Sequence, residues 1–298
     1  MCRHCQSVTV YSLTMSTLSL RSGSRNCGIG PKRSSAGTIV PSTGRHAKVS
    51  SAAMPWVMDE DDPMLDYSPE RWINSMIGNS GLLYRFNESL VYKSNVTPRE
   101  ADLMEAAGDI AMRPVTRVVW KGSRPATGTK AVIMELGKPF VWTRVSPSLR
   151  RGVVLQMFDL LGKLHNDYGI VHGDIKESNF IWGRDKRLRL IGFASARFVA
   201  EDPSSWNSSY VTEAYFAPER MRERHRSIGG TGRIPAPKVF DDYYALAVTL
   251  WSLHTGKAPG PKQFNQMYVR RADLDEVEDE MVRKWIRKVF KMAGCKWG

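Results

Sequence analysis

Apolar positions follow no regular spacing at the start of the chain and then settle into two distinct periods. Residues 1–58 are rich in Ser, Thr and Gly and hold few large apolar residues after Leu20, so neither a 3.6 nor a 2 period is sustained. This stretch is expected to be a disordered tail. An acidic run, Asp59, Glu60, Asp61 and Asp62, marks the change, and Pro69, Glu70, Arg71 and Trp72 read as the first turn of a short helix. The folded domain is expected over about 70–298. Its first part runs in short apolar stretches: Leu82, Leu83 and Tyr84, then Leu90, Val91 and Tyr92, then Val115 to Val119, then Ala131 to Met134. A helix from about Arg99 to Ala107 separates the second stretch from the third. The pattern predicts a small, mostly antiparallel sheet with one helix laid on it.

After residue 145 the period lengthens. Val154, Met157, Phe158, Leu161 and Leu164 share one helical face. Near the end Val282, Trp285, Ile286 and Val289 repeat the spacing, with Asp279 and Glu280 in the first turn and Lys288, Lys291 and Gly294 toward the last, as the helix dipole and a glycine cap prefer. The fold class is therefore α+β, a sheet-rich first part followed by a mainly helical second part.

Composition narrows the function classes. With 298 residues and 42% apolar content the chain can build a sizeable core, and no run of about 18 apolar residues is present to span a bilayer. Cys2, Cys5, Cys27 and Cys295 make no disulfide framework, and Cys2 and Cys5, with His4 between them, lack a second ligand pair at zinc spacing. The net charge of +13 suggests nucleic acid, but residues 1–58 carry seven basic and no acidic residues, which leaves 36 basic against 30 acidic residues elsewhere. No interleaving of aromatic and basic residues of the kind that stacks bases is present, and the cluster Arg222, Arg224, His225 and Arg226 reads as a solvated helix end or loop. The acid-free start also fits a mitochondrial transit peptide, with Met54 as a second candidate start; otherwise a cytoplasmic or nuclear protein is expected.

The strongest chemical signal is Val171-His172-Gly173-Asp174-Ile175-Lys176-Glu177-Ser178-Asn179, between an amphipathic helix and an apolar strand. It resembles the catalytic loop of protein kinases, with Gly173 where many members have Arg. The resemblance runs in order over about 75–255. It implies a two-lobed fold, with an N-lobe at about 70–137 and a C-lobe at about 138–298, that binds ATP and transfers phosphate to Ser or Thr of a protein. By that resemblance Asp174 is the base, Lys176 the cation beside the transferring phosphate and Asn179 a metal ligand. Lys93 looks like the lysine that pairs with the α- and β-phosphates, with Glu100 as its partner and Glu105 as the competitor on the same helix. Ile133-Met134-Glu135-Leu136-Gly137 resembles the hinge, whose backbone at Glu135 and Gly137 would meet the adenine. Ala217-Pro218-Glu219 matches the anchor of the activation segment, which favours a protein substrate over the small-molecule or tRNA-modification type of kinase. Asp242-Tyr243-Tyr244-Ala245-Leu246-Ala247 resembles the start of the long buried helix whose Asp ties down the catalytic loop.

Three departures bear on activity. Only Gly78 and Gly81 remain of the glycine loop that covers the phosphates. Gly173 removes the Arg that would grip a phosphorylated activation segment. After the strand Leu188-Arg189-Leu190-Ile191 the family's Asp-Phe-Gly is replaced by Gly192-Phe193-Ala194, so the expected magnesium site is weak or absent. The chain is expected to be a weak protein kinase or a pseudokinase that serves as a binding or scaffold module.

Overall fold

The computed structural model describes residues 56–58, 72–74, 83–120, 129–208, 210–228, 233–259, 268–269 and 274–297. All belong to the unit Val49–Gly298. Residues 1–55 of the expected tail lie outside the described residues, while its last three, Trp56–Met58, form strand β1.

The N-lobe is a six-stranded sheet in the order β1-β5-β6-β4-β3-β2. Its further strands are β2 (Trp72–Asn74), β3 (Leu83–Arg85), β4 (Leu90–Ser94), β5 (Pro114–Trp120) and β6 (Thr129–Glu135). β1 joins β5 in parallel and the other pairs are antiparallel. Trp72, read from sequence as part of a helix turn, is thus in a strand. An aromatic followed by β-branched Ile73 suits extended backbone, and Trp72 and Asn74 pair with Tyr84 and Leu83. Alternation sorts the sheet into two faces. Tyr84, Tyr92, Val118, Ala131 and Ile133 cluster on one, while Val91, Val132 and Met134 pack on the other with α1 (Pro98–Ala106). Thr97 starts α1 by accepting a hydrogen bond from Glu100 N at 3.1 Å, with Pro98 at the first position.

The C-lobe is built on α2 (Pro147–Asn166) and α4 (Val239–Thr255), both lined with buried apolar residues. α3 (Pro218–Ile228) lies between them in sequence. Its cations Arg222, His225 and Arg226 are exposed, while Arg224 bonds Glu213 at 3.0 Å. α5 (Glu280–Met292) packs on α4, with Tyr244 and Phe290 ring centroids 5.3 Å apart, and Asp279 caps it through Val282 N at 3.1 Å. Between α2 and α3 run the short strands β8 (Ile170–Val171), which pairs with β11 (Arg197–Phe198), and β9 (Phe180–Trp182), which sits between β10 (Leu188–Leu190) and β7 (Lys138–Pro139), the last of these preceding α2. The lobes meet where Met112 N donates to Leu190 O at 3.0 Å and where Arg99 of α1 pairs with Glu201. This is the two-lobed α+β kinase fold.

Candidate active site

Strand alternation delivers Lys93 to the α1 face, two residues beyond Val91. Its Nζ lies 2.5 Å from Glu100 Oε1, and the two residues are 6% and 2% exposed. Burial of both charges is compensated by their contact; either alone would be a buried, unpaired ion. Glu105 is turned elsewhere: both of its carboxylate oxygens accept from Arg117 at 2.8 Å, and Arg117 also reaches Asp102 at 2.6 Å. The residues Thr97 to Glu100 have the spacing of a reciprocal helix cap, but the Glu100 carboxylate goes to Lys93 instead.

The loop after β8 is held from below by α4. Asp242 accepts from His172 N at 2.7 Å and from Gly173 N at 2.8 Å, and its Oδ2 lies 2.9 Å from His165 Nε2. Burial alone would raise the Asp242 carboxyl, but the His165 hydrogen bond and the nearby backbone donors hold it below its ordinary value. His172 is wholly buried, and desolvation keeps its imidazole below 6.5 and neutral. Its Nε2 then donates to Ile191 O at 2.9 Å, while Asp174 N reaches Nδ1 at 3.3 Å.

With the backbone so fixed, three of the expected residues converge. Asp174 Oδ2 lies 2.8 Å from Lys176 Nζ and 3.1 Å from Asn179 Nδ2, which also donates to Asp174 O at 2.6 Å. Asp174 Oδ1 is buried and meets no donor among the described residues. Lys176 Nζ also reaches Thr212 Oγ1 at 2.7 Å, which ties the activation segment to the loop. Thr212 carries no signal in a lone sequence, since a threonine in a polar segment is unremarkable. Tyr215 is a second such residue: burial, with Glu177 and Asp174 nearby, pushes its phenol up to about 12.

The departures from the family pattern have a geometric basis. At Gly173 the φ of +78° and a would-be Cβ 2.6 Å from Ser195 O and 2.8 Å from Pro237 Cγ leave no room for a side chain. Arg220 occupies the vicinity instead, its guanidinium 3.9 Å above the Phe216 ring and 3.3 Å from Gly173 O. Gly192 has φ +82°, and a Cβ there would fall 2.7 Å from Asn179 Oδ1. A magnesium ion that neutralised the phosphates of a nucleotide would call for carboxylate oxygens on this side of the site. Gly192 supplies none and Asp174 Oδ2 is held by Lys176, so of these three residues only a neutral amide oxygen, Asn179 Oδ1, is left on this side while its nitrogen donates to Asp174. The donor set does not fit such an ion. Among the described residues no group of three or more His, Cys, Asp or Glu could hold a metal.

Glu135 closes β6 and Gly137 follows it, packed so tightly that a Cβ would meet Ile181 at 2.7 Å and Trp182 O at 2.9 Å. Leu136 N between them donates to Ser89 O at 2.8 Å. Gly78, Gly81 and the cysteines Cys2 and Cys5 lie outside the described residues. Among the described residues no helix is long and apolar enough to cross a membrane.

A sheet-borne lysine–glutamate pair set beside an Asp-Lys-Asn loop, with an Ala-Pro-Glu segment opening α3, is the arrangement of a protein kinase domain. Residues 138–290, just over half of the chain, match the family described as Protein kinase domain, and the chain belongs to that family. It is 29% identical over 89 residues to the serine/threonine-protein kinase PKH1 of Saccharomyces cerevisiae and 33% identical over 72 residues to the MDIS1-interacting receptor like kinase 2 of Arabidopsis thaliana. These stretches cover 30% and 24% of this chain and only 11% and 7% of the two relatives.

Proposed function

We propose that this chain binds ATP and transfers its terminal phosphate, slowly, to serine or threonine hydroxyls of a protein. The observation that carries the proposal is Asp174: one carboxylate oxygen is fixed by Lys176 and Asn179, and the other is buried with no donor among the described residues, as a group waiting for a hydroxyl proton would be. In the reaction the substrate oxygen forms the new bond to the γ-phosphorus, the bond from that phosphorus to the β,γ-bridging oxygen breaks, and the hydroxyl proton passes to Asp174. In this reading Lys176, paired with Asp174, faces the charge that grows on the transferring group, and Lys93, held by Glu100, meets the α- and β-phosphates. In kinases that bind it, magnesium neutralises the β- and γ-phosphate oxygens. Losing such an element costs about 2.7 to 4 kcal/mol of barrier, roughly 100- to 1000-fold in rate, hence the slow transfer. The serine or threonine class rests on the yeast relative's name, and the protein substrate on the Ala217-Pro218-Glu219 anchor.

One observation favours a silent binding module instead. Asn179 Oδ1 stands so near Gly192 that the place of the missing carboxylate is already crowded. Nucleotide-induced thermal shifts in ATP with magnesium and in ATP with EDTA, together with transfer of labelled γ-phosphate to a mixed-peptide substrate, separate the readings. Slow transfer that ends with Asp174→Asn, from a protein stabilised equally with and without magnesium, is expected. Nucleotide binding with no transfer would leave the binding module.

A further inference from the structure

Behind the hinge lies a second cleft of about 860 Å³. Its lining shares Leu136 and Gly137 with the hinge but includes none of Lys93, Asp174, Lys176 or Asn179, so it is separate from the candidate active site. The inner surface is mainly apolar, with Pro139, Val153, Trp182 and Leu149, the last 64% exposed. Leu149, Gly152, Val153 and Gln156 fall at i, i+3, i+4 and i+7 on α2, so one helical stripe forms a wall.

Two features mark this cleft as a surface for a partner. The first is charge. Arg85, Lys138, Arg184 and Lys186 line it against one carboxylate, Glu88, and all four cations are exposed and without an ion pair among the described residues. The neighbouring Asp185 is engaged by Arg189 at 2.7 Å and does not neutralise them. The second is Gly152. A glycine inside a helix is destabilising relative to alanine, and tight packing is the usual reason to keep one. A Cβ on Gly152 would meet nothing within 4 Å. No neighbour requires the glycine, and its effect is to leave the wall of the cleft open.

We propose that this cleft docks an acidic peptide segment of a partner protein, with paired aliphatic side chains seated against Leu149, Val153 and Trp182 and carboxylates facing Arg184, Lys186, Lys138 and Arg85. An apolar centre with a charged rim suits a chain segment that buries alternate side chains and steers itself by charge. None of the four cations is buried, so the site lacks the fixed, desolvated donors that hold a small anion by itself.

The test uses the full chain without nucleotide, which keeps it independent of the kinase reading. The probe is a short fluorescein-labelled peptide with a run of glutamates beside a leucine pair, followed by anisotropy. Saturable binding is expected, several-fold weaker when salt rises from about 50 to about 300 mM. Arg184→Glu with Lys186→Glu should weaken it at least about tenfold. Gly152→Leu should do the same by filling the cleft while leaving the melting temperature unchanged or raised, which separates occlusion from unfolding. No binding, or binding untouched by Gly152→Leu, overturns the proposal. Equal binding of a peptide of glutamates alone also overturns it, in favour of a general polyanion surface. Tighter binding after Asp59, Glu60, Asp61 and Asp62 are changed to serine would make the chain's own acidic run the occupant. Self-association abolished by Gly152→Leu would make the occupant a second copy. Either result removes the partner in trans.

Discussion

Gly192 and Asn179 are close enough that a single added carbon on the glycine would lie 2.7 Å from the amide oxygen of the asparagine. The family places a carboxylate at the first position and an amide at the second, so both would face one metal ion. Here the amide nitrogen donates to Asp174, and the amide oxygen would have to shift to admit a side chain at Gly192.

Gly192→Asp tests whether the missing carboxylate alone restrains the chemistry. The left-handed φ of +82° is tolerated by Asp better than by most residues, and the clashing atom is the end of a side chain. Magnesium-dependent turnover should rise by roughly two orders of magnitude, with Gly192→Asn recovering only part of this. Gly192→Ala should lower the melting temperature and raise nothing. A folded Gly192→Asp protein with unchanged turnover would leave the binding-module reading standing.

Lys93→Met should abolish transfer and also destabilise the protein, because it strands Glu100 at 2% exposure. Breaking a buried pair from one side costs about 3 to 5 kcal/mol. In Lys93→Met with Glu100→Leu most of that stability should return, as read by urea unfolding, while nucleotide binding stays lost. Recovery of binding in the double variant would remove Lys93 from the nucleotide site.

Thr212→Val removes the hydroxyl that accepts from Lys176 at 2.7 Å, with little change in volume. We expect transfer to slow about tenfold, in keeping with about 1.5 kcal/mol for a hydrogen bond to a charged group, with nucleotide affinity unchanged. Thr212→Ser should restore the rate. A drop in nucleotide affinity instead would show that the residue acts on the pocket rather than on Lys176.

Asp241 gives the stability a pH dependence of known sign. Burial raises its folded carboxyl to about 6 from 3.8, even with Arg220 opposing the shift. The folded state therefore holds a proton that the unfolded chain has released, and stability falls as pH climbs from about 4 to about 6, by up to roughly 3 kcal/mol, and is flat above. The difference in unfolding free energy between the wild type and Asp241→Asn should shrink or reverse over that window. A difference independent of pH would show that Asp241 is ionised throughout.

Much of this was legible in local patterns. The loop from His172 to Asn179 announces itself because its chemistry is packed into consecutive residues, and the helix at Glu280–Met292 because its apolar spacing, its Asp279 cap and Gly294 agree. At Trp72 the local pattern misleads, because a proline and an acidic residue mimic a helix start, whereas pairing with β3 decides the backbone.

By itself, then, the sequence determined the order of elements, the kinase resemblance and the residue types of the site, since these depend on spacing along the chain. The choice of Glu100 over Glu105 was made by the tertiary structure, because five residues on a helix turn the two side chains toward different neighbours, one to Lys93 and one to Arg117. The crowding of Asn179 against Gly192, the hold of Thr212 on Lys176 and the replacement of a Gly173 side chain by Arg220 were decided there too. Each joins residues more than ten positions apart, and such contacts exist only once the chain has packed.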